Sequence, residues 1–299
     1  MTPDIAAFKA YLLHLQAQFC AALEKLDPQH PFHKEPWQRE KSLGHTHVLE
    51  NGAVIERAGV NFSHVRGNQL PPAATQRHPQ LAGSTFEALG VSLIVHPRNP
   101  YAPTCHFNLR CFYAEAAATW WLGGGFDLTP YYGFEEDCQH FHQTAKMACD
   151  PFGPHLYPQF KQNADQYFFL KHRQEPRGVG GLFFDDFKLT NWEDSFTFAR
   201  SVGDHFLPAY LPILQKRVNH PYGEAQRQFQ LYRRGRYVEF NLIHDRGTLF
   251  GLQFGGRTES ILVSLPPMVN WQYDWQPQAN TEEARLYEKF LVAQDWIPA

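Results

Sequence analysis

The chemistry-bearing residues of this 299-residue chain concentrate between Val91 and Cys111. Side chains alternate across a strand. Ser92, Ile94 and His96 therefore share a face, as do His106, Asn108 and Arg110, while Cys105, Phe107, Leu109 and Cys111 take the other side. A hairpin closing symmetrically about Tyr101 sets His96 opposite His106 and Ser92 opposite Arg110. Directly opposed Cβ atoms lie about 5 Å apart, a separation at which two imidazoles can share one metal ion or one substrate group. A row of Ser, His, Asn and Arg backed by apolar residues suits an anionic ligand; the bland alternative is a solvated sheet face. The next run, Trp120 to Thr129, adds one carboxylate, Asp127, on a face with Trp121, Gly123 and Gly125. Glycines inside a strand mark a bulge or the close approach of a ligand or another backbone.

Other candidates lie further along. His140 and His142 are two apart in a helical stretch, so at most one can join the hairpin histidines. His172 ends a helical pattern, where the helix dipole alone would favour it. No local His-x-x-x-His, Cys-x-x-Cys or two-His-one-carboxylate spacing occurs, so any metal site must assemble from distant segments. Arg233, Arg234 and Arg236, and downstream Gly255-Gly256-Arg257, could hold a carboxylate through arginine's planar fork. Pairing with Glu239 or Glu259 is the structural alternative, and the preferred one for Arg233 and Arg234. The glycines at 123–125 and 178–181 lack the phosphate-loop and dinucleotide signatures, so no nucleotide cofactor is expected.

These residues need a scaffold, and the pattern describes one. A helix begins behind Asp4, with Ile5, Phe8, Leu12, Leu15, Phe19 and Leu23 at helical spacing. Asp27 to Trp37 reads as a connection, and Gly44 to Val65 as a hairpin around Asn51-Gly52. Residues 66–83 read as a long loop, a length more often functional or mobile than idle. Strands follow at Gly90–His96, Thr104–Tyr113, Thr119–Leu128 and Gly180–Phe184. Helices are expected over Glu135–Cys149, Leu156–His172 and Trp192–Val218, the last broken or kinked at Pro208 and Pro212. Arg236–Ile243 and Thr248–Phe254 read as a hairpin around Asp245-Arg246-Gly247, Ile261–Leu265 as a strand, and Thr281–Ala293 as a closing helix. Hairpins outnumber strand–helix alternations, which predicts a single α+β domain, residues 1–299, built on an antiparallel sheet.

Composition limits the partners. Twenty-seven Lys and Arg against 30 Asp and Glu give a net charge of −3, which argues against general nucleic-acid or membrane-surface binding. Twenty-five Phe, 13 Tyr and 7 Trp supply a core, and no run reaches the roughly 18 apolar residues of a membrane span. Five cysteines (Cys20, Cys105, Cys111, Cys138 and Cys149) read as reduced thiols, and the N-terminal stretch as neither a signal nor a transit peptide. A cytoplasmic location is expected. Sixteen histidines are the unusual entry in the composition.

Six stretches carry a resemblance: Ala58–Ser63, Val91–Pro97, Cys105–Arg110, Trp121–Pro130, Gly180–Asp186 and Phe229–Asn241. Together and in this order they resemble the oxygen-dependent coproporphyrinogen III oxidases, bacterial members above all. The likeness runs from the first helix nearly to the C-terminus. It implies a large flat antiparallel sheet with helices on both faces, and a homodimer in contact through residues 237–272. It implies oxidative decarboxylation of two propionates of coproporphyrinogen III to vinyl groups, with O2 as co-substrate, giving protoporphyrinogen IX, CO2 and H2O2 in haem biosynthesis. No flavin, haem or nucleotide is implied. Ser92, Asn108, Leu109, Arg110, Gly255, Gly256 and Arg257 match the substrate-binding motifs, and His106 matches the proton donor. His96, His106, His142 and His172 match positions assigned to a dispensable divalent metal. For this chemistry Asp127 is the second catalytic candidate, expected to accept hydrogen bonds from pyrrole N–H groups. The rival readings are a tetrapyrrole carrier, which would not need Asp127, and a metal-dependent dioxygenase suggested by the histidines alone.

Overall fold

The computed structural model describes residues 2–39, 42–68, 78–81, 83–253 and 256–297. Helix α1 (Ile5–Leu26) starts where the Asp4 carboxylate accepts the Ala7 N–H, and it buries Phe8, Leu12, Leu15, Phe19 and Leu23. Strands β1 (His33–Arg39), β2 (Ser42–Glu50), β3 (Ile55–Gly67), β4 (Phe86–Pro97), β5 (Thr104–Ala114), β6 (Thr119–Thr129) and, later in the chain, β9 (Gly181–Phe187) form one sheet. They lie in the order β1-β2-β3-β4-β5-β6-β9, each neighbouring pair antiparallel. The expected α+β class and antiparallel sheet are what the fold shows.

One face of the sheet packs on helices. Cys105, Phe107, Leu109 and Cys111 are buried there, and the Phe107 ring meets Phe19 of α1 at 5.1 Å and Phe206 at 5.0 Å. Phe206 belongs to a helix, Trp192–Arg217 (here α4), that runs through Pro208 and Pro212 without ending. Between β6 and α4 come α2 (Glu135–Cys149), α3 (Leu156–Tyr167), the two short strands β7 (Phe169–Leu170) and β8 (Glu175–Pro176), and then β9.

The opposite face is covered by α5 (Glu224–Ile243), α6 (Arg246–Gln253) and α7 (Thr258–Leu262). This corrects the hairpin expected over Arg236–Ile243 and Thr248–Phe254 and the strand at Ile261–Leu265; Phe254 lies outside the described residues. Tyr237 to Leu242 does alternate, but over a longer span the buried residues Phe229, Arg233, Tyr237 and Asn241 recur at helical spacing. Their partners fix α5 on the sheet: Arg234 and Arg227 both bind Glu56 of β3, and Arg233 binds Glu175.

Three smaller corrections follow. The Asp27–Trp37 connection runs into β1 from His33 onward, an edge strand that tolerates Pro36. The helix expected to reach His172 stops at Tyr167, and His172 sits in a turn after β7. The closing helix is one α-turn, α8 (Glu282–Arg285), running into a π-turn at Leu286–Phe290. The expected loop at 66–83 falls largely outside the described residues; within it, β3 extends to Gly67 and Pro79–Leu81 form one 3-10 turn.

Candidate active site

The hairpin β4–β5 sets the face of the site residues. Its register is shifted by two residues from the symmetric one. Ile94 faces His106, Ser92 faces Asn108 and Gly90 faces Arg110, so His96 is not opposite His106. The turn is the cause. Asn99 accepts the Tyr101 N–H on its side chain and the Ala102 N–H on its carbonyl, centring the reversal on Pro100.

Antiparallel pairing then aligns residues across five strands. One row runs Thr46, Asn61, Ser92, Asn108, Gly125; the next runs Ser63, Gly90, Arg110, Gly123; a third runs Gly59, Ile94, His106, Asp127. The first two rows from β3 onward, with His106 of the third, floor a cavity of about 410 Å³, inside the usual range of small-molecule sites. Phe86, Phe112, Trp121, Tyr167, Phe168 and Phe183 give it aromatic walls, with Asp185, Asp245 and Arg246 at its polar side. Ser92, His106, Asn108 and Arg110 all line it. Leu109 points into the core and is not in the described lining. Gly255 lies outside the described residues. Arg257 turns away to Glu35 at 2.6 Å and to Ser260, so neither it nor Gly256 joins the described lining.

Asp127 is placed behind the cavity wall. Its side chain is 2% exposed, and its Oδ1 faces His106 Nδ1 at 3.1 Å. From the far side Arg177 grips the carboxylate, with Nη2 at 2.7 and 2.8 Å and Nε at 3.2 Å. Arg177 also donates to Asn241 and is enclosed by the rings of Phe168, Tyr237 and Phe240 at 4.3–4.7 Å. Burial pushes the Asp127 carboxyl up, but Arg177 and His106 more than offset this and hold it below the usual carboxylate range. Facing a carboxylate, His106 Nδ1 carries a proton, which leaves Nε2 as its other working atom. Asp127 itself is not in the cavity lining; among the described residues it reaches the cavity through its hydrogen bond to His106. Sequence reasoning missed Arg177 altogether; its one visible signal was an arginine beside the glycines at 178–181.

The four histidines matched to a metal do not fit a shared site. His142 belongs to α2, whose neighbouring Phe141 packs on Phe126, on the sheet face opposite His106. Its Nε2 donates to Val179 O and its Nδ1 bonds the Tyr157 hydroxyl. His96 likewise donates to Ser264 O and bonds Thr104 through Nδ1. Burial pushes both imidazoles toward the neutral form, His142 down to about 4, and the one lone pair each then has, on Nδ1, is taken by the Thr104 or Tyr157 hydroxyl. His172 is spent on His244 and Glu239. Among the described residues no group of three or more His, Cys, Asp or Glu could hold a metal ion. His140, on the other side of α2 from His142, bonds Pro208 O.

Comparison with known proteins gives the family. Residues 7–296 match the family model described as coproporphyrinogen III oxidase. The chain belongs to the coproporphyrinogen III oxidase family. Similar relatives include the oxygen-dependent coproporphyrinogen-III oxidases of Coxiella burnetii strains RSA 493 / Nine Mile phase I and Dugway 5J108-111. Each is 60% identical over 291 residues, covering 96% of this chain and 94% of the relative. In this family member the cavity, the His106–Asp127–Arg177 relay and Arg110 stand on one sheet face, and the buried arginine pairs of α5 stand beside them.

Proposed function

We propose that this chain is an oxygen-dependent coproporphyrinogen III oxidase, converting two propionates of its substrate to vinyl groups in haem biosynthesis. For each propionate, the carboxylate side chain, one O2 and one proton give a vinyl group, CO2 and H2O2. The observation that carries this reading is the His106–Asp127–Arg177 relay opening into an aromatic-walled cavity that also presents Arg110. The walls suit an electron-rich tetrapyrrole, and Arg110 suits a propionate not undergoing reaction. Deprotonation of a pyrrole lets O2 add to the ring, and the resulting peroxide takes a propionate β-hydrogen as CO2 leaves. His106 handles the protons at Nε2 while Asp127, itself screened by Arg177, fixes the ring through Nδ1. Ser92 and Asn108 provide hydrogen bonds on the floor. No step is assigned to a metal.

Residues 1–299 act in this reading as one catalytic domain. Leu242, Ile243, Leu252, Met268 and Trp271 are exposed within residues 237–272, and we assign this apolar face to a homodimer. The five cysteines, all buried and free, fit a cytoplasmic location; no helix among the described residues is long and apolar enough to cross a membrane. The test is anaerobic incubation with coproporphyrinogen III followed by admission of O2, with product mass and porphyrin fluorescence as readouts. Loss of two carboxyl groups only after O2 supports the reading. Bound but unconverted substrate would make the protein a carrier, and turnover of small aromatics only with added metal would make it a dioxygenase.

A further inference from the structure

Arg110 faces the cavity with its fork already engaged. Nη1 donates to Asn108 Oδ1 at 2.9 Å and Nη2 to Asp185 Oδ1 at 2.8 Å. The second oxygen of Asp185 lies 3.2 Å from Arg246 Nη2. One carboxylate of β9 therefore bridges two arginines that come from β5 and α6, and all three line the cavity. The floor is cut away beneath them, for a Cβ on Gly123 would lie 2.8 Å from Arg110 Nε and 2.9 Å from Asp185 Oδ1. Arg246 is held over the Tyr167 ring at 4.8 Å and the Phe183 ring at 5.5 Å, two rings that stack on each other at 4.0 Å. The arginine side chains are 41% and 46% exposed, the aspartate 12%. The cations are presented and the anion is tucked between them.

We propose that Asp185 is a resident carboxylate on a two-arginine anion site, and that a propionate of the substrate takes its place between Arg110 and Arg246. This rests on the reading that the cavity receives a ring bearing carboxylates, and it names Arg246 as a second group that holds one. The exchange is carboxylate for carboxylate, so both guanidiniums stay paired in the free and the bound protein. An uncharged side group has nothing to offer in the exchange and leaves the bridge closed. A propionate anchor opposed by a resident competitor is also released readily, as a ring that must present two propionates in turn requires.

Binding of oxidised coproporphyrin III, a stable tetracarboxylate, followed by its fluorescence separates the alternatives. Asp185→Asn removes the competitor and is expected to tighten binding about three- to tenfold, while Asp185→Glu restores wild-type affinity and Arg246→Gln weakens it. The tetramethyl ester of the same porphyrin is expected to bind wild type and Asp185→Asn alike. If Asp185 only positions Arg110, folded Asp185→Asn will bind the tetracarboxylate less tightly or no differently, and the proposal falls. It falls also if the ester gains as much as the acid. Asp185→Ala is read in the same way should the Asp185→Asn variant not fold. Unchanged binding by Arg110→Gln would instead overturn the function on which the inference rests.

Discussion

Replacing Asp127 by Asn, Arg177 by Met, and then both together separates what this ion pair does for the fold from what it does for His106. Each side chain is 2% exposed and the closest approach is 2.7 Å. Removing one partner of such a pair leaves an uncompensated buried charge, at a cost of about 3–5 kcal/mol. For a chain of this size that lowers the thermal midpoint by about 5–8 °C. The burden differs in detail: Asp127→Asn leaves Arg177 with Asn241 and three aromatic faces, whereas Arg177→Met leaves a carboxylate whose remaining side-chain partner among the described residues is His106. In the double variant no buried charge remains, and the amide oxygen that replaces the Asp127 carboxylate can still accept from His106. Its midpoint is expected to recover to within about 4 °C of wild type, since replacing a whole buried pair is often near neutral. Activity is not expected to follow. All three variants should lose about a hundredfold or more in kcat, the usual share of a positioned acid–base group, with KM little changed because neither residue lines the cavity. Differential scanning fluorimetry gives the midpoints and oxygen uptake gives kcat. A double variant as unstable as the two single losses added together would refute the pair argument, and a double variant with recovered kcat would refute the relay.

Further tests address the helical layer, the floor and the outer face. Burial holds His142 down to about 4 against about 6.5 in an unfolded chain, and His96 is shifted the same way. Below pH 6.5 the unfolded state binds a proton that the folded state refuses, so His142 costs roughly 3 kcal/mol of stability between pH 6.5 and 4. Urea unfolding should show this slope, and it should flatten in His142→Phe; an equal slope in that variant would rule His142 out as its source. Gly123→Ala is expected to fold but lose kcat/KM about tenfold or more, because the new methyl displaces only the ends of Arg110 and Asp185. By contrast Gly125→Ala, whose Cβ would lie 1.9 Å from Leu182 O at φ +132°, should give no folded protein; circular dichroism distinguishes the two. Ile243→Asp on the exposed end of α5 should convert a dimer to monomers in sedimentation velocity, and a wild-type monomer would remove the assigned interface.

The strands were legible because their chemistry repeats every two residues. In β5 and β6 one face is Cys, Phe and Leu and the other carries His106, Arg110 and Asp127, so the site face followed from alternation alone. Register is set elsewhere, by the Asn99-Pro100 turn, and a shift of two residues preserves the face while changing every partner. Helix α5 was illegible for a different reason. Its buried Arg233, Arg234 and Arg236 look like a surface stripe until Glu175, Glu56 and Glu239, two of them from other elements, are brought to them. Arg177 is the extreme case: every group that explains it, from Asp127 to Asn241, is remote in sequence except Phe168, nine residues back.

That contrast also decides which arginines can serve a ligand. Arg177, Arg217, Arg233, Arg234 and Arg236 are buried, and each is matched by a carboxylate from the fold. Drawing any of them to a substrate would strand that carboxylate in a dry interior, at a cost no single propionate contact can offset. Arg110 and Arg246 differ in physical setting rather than in residue type. Their side chains are nearly half exposed and the carboxylate they share stands on the cavity wall rather than in the dry interior. A chain of net charge −3 can therefore recruit a tetracarboxylate. What matters is how many of its cations are free to change partners, and in the described cavity lining those are Arg110 and Arg246.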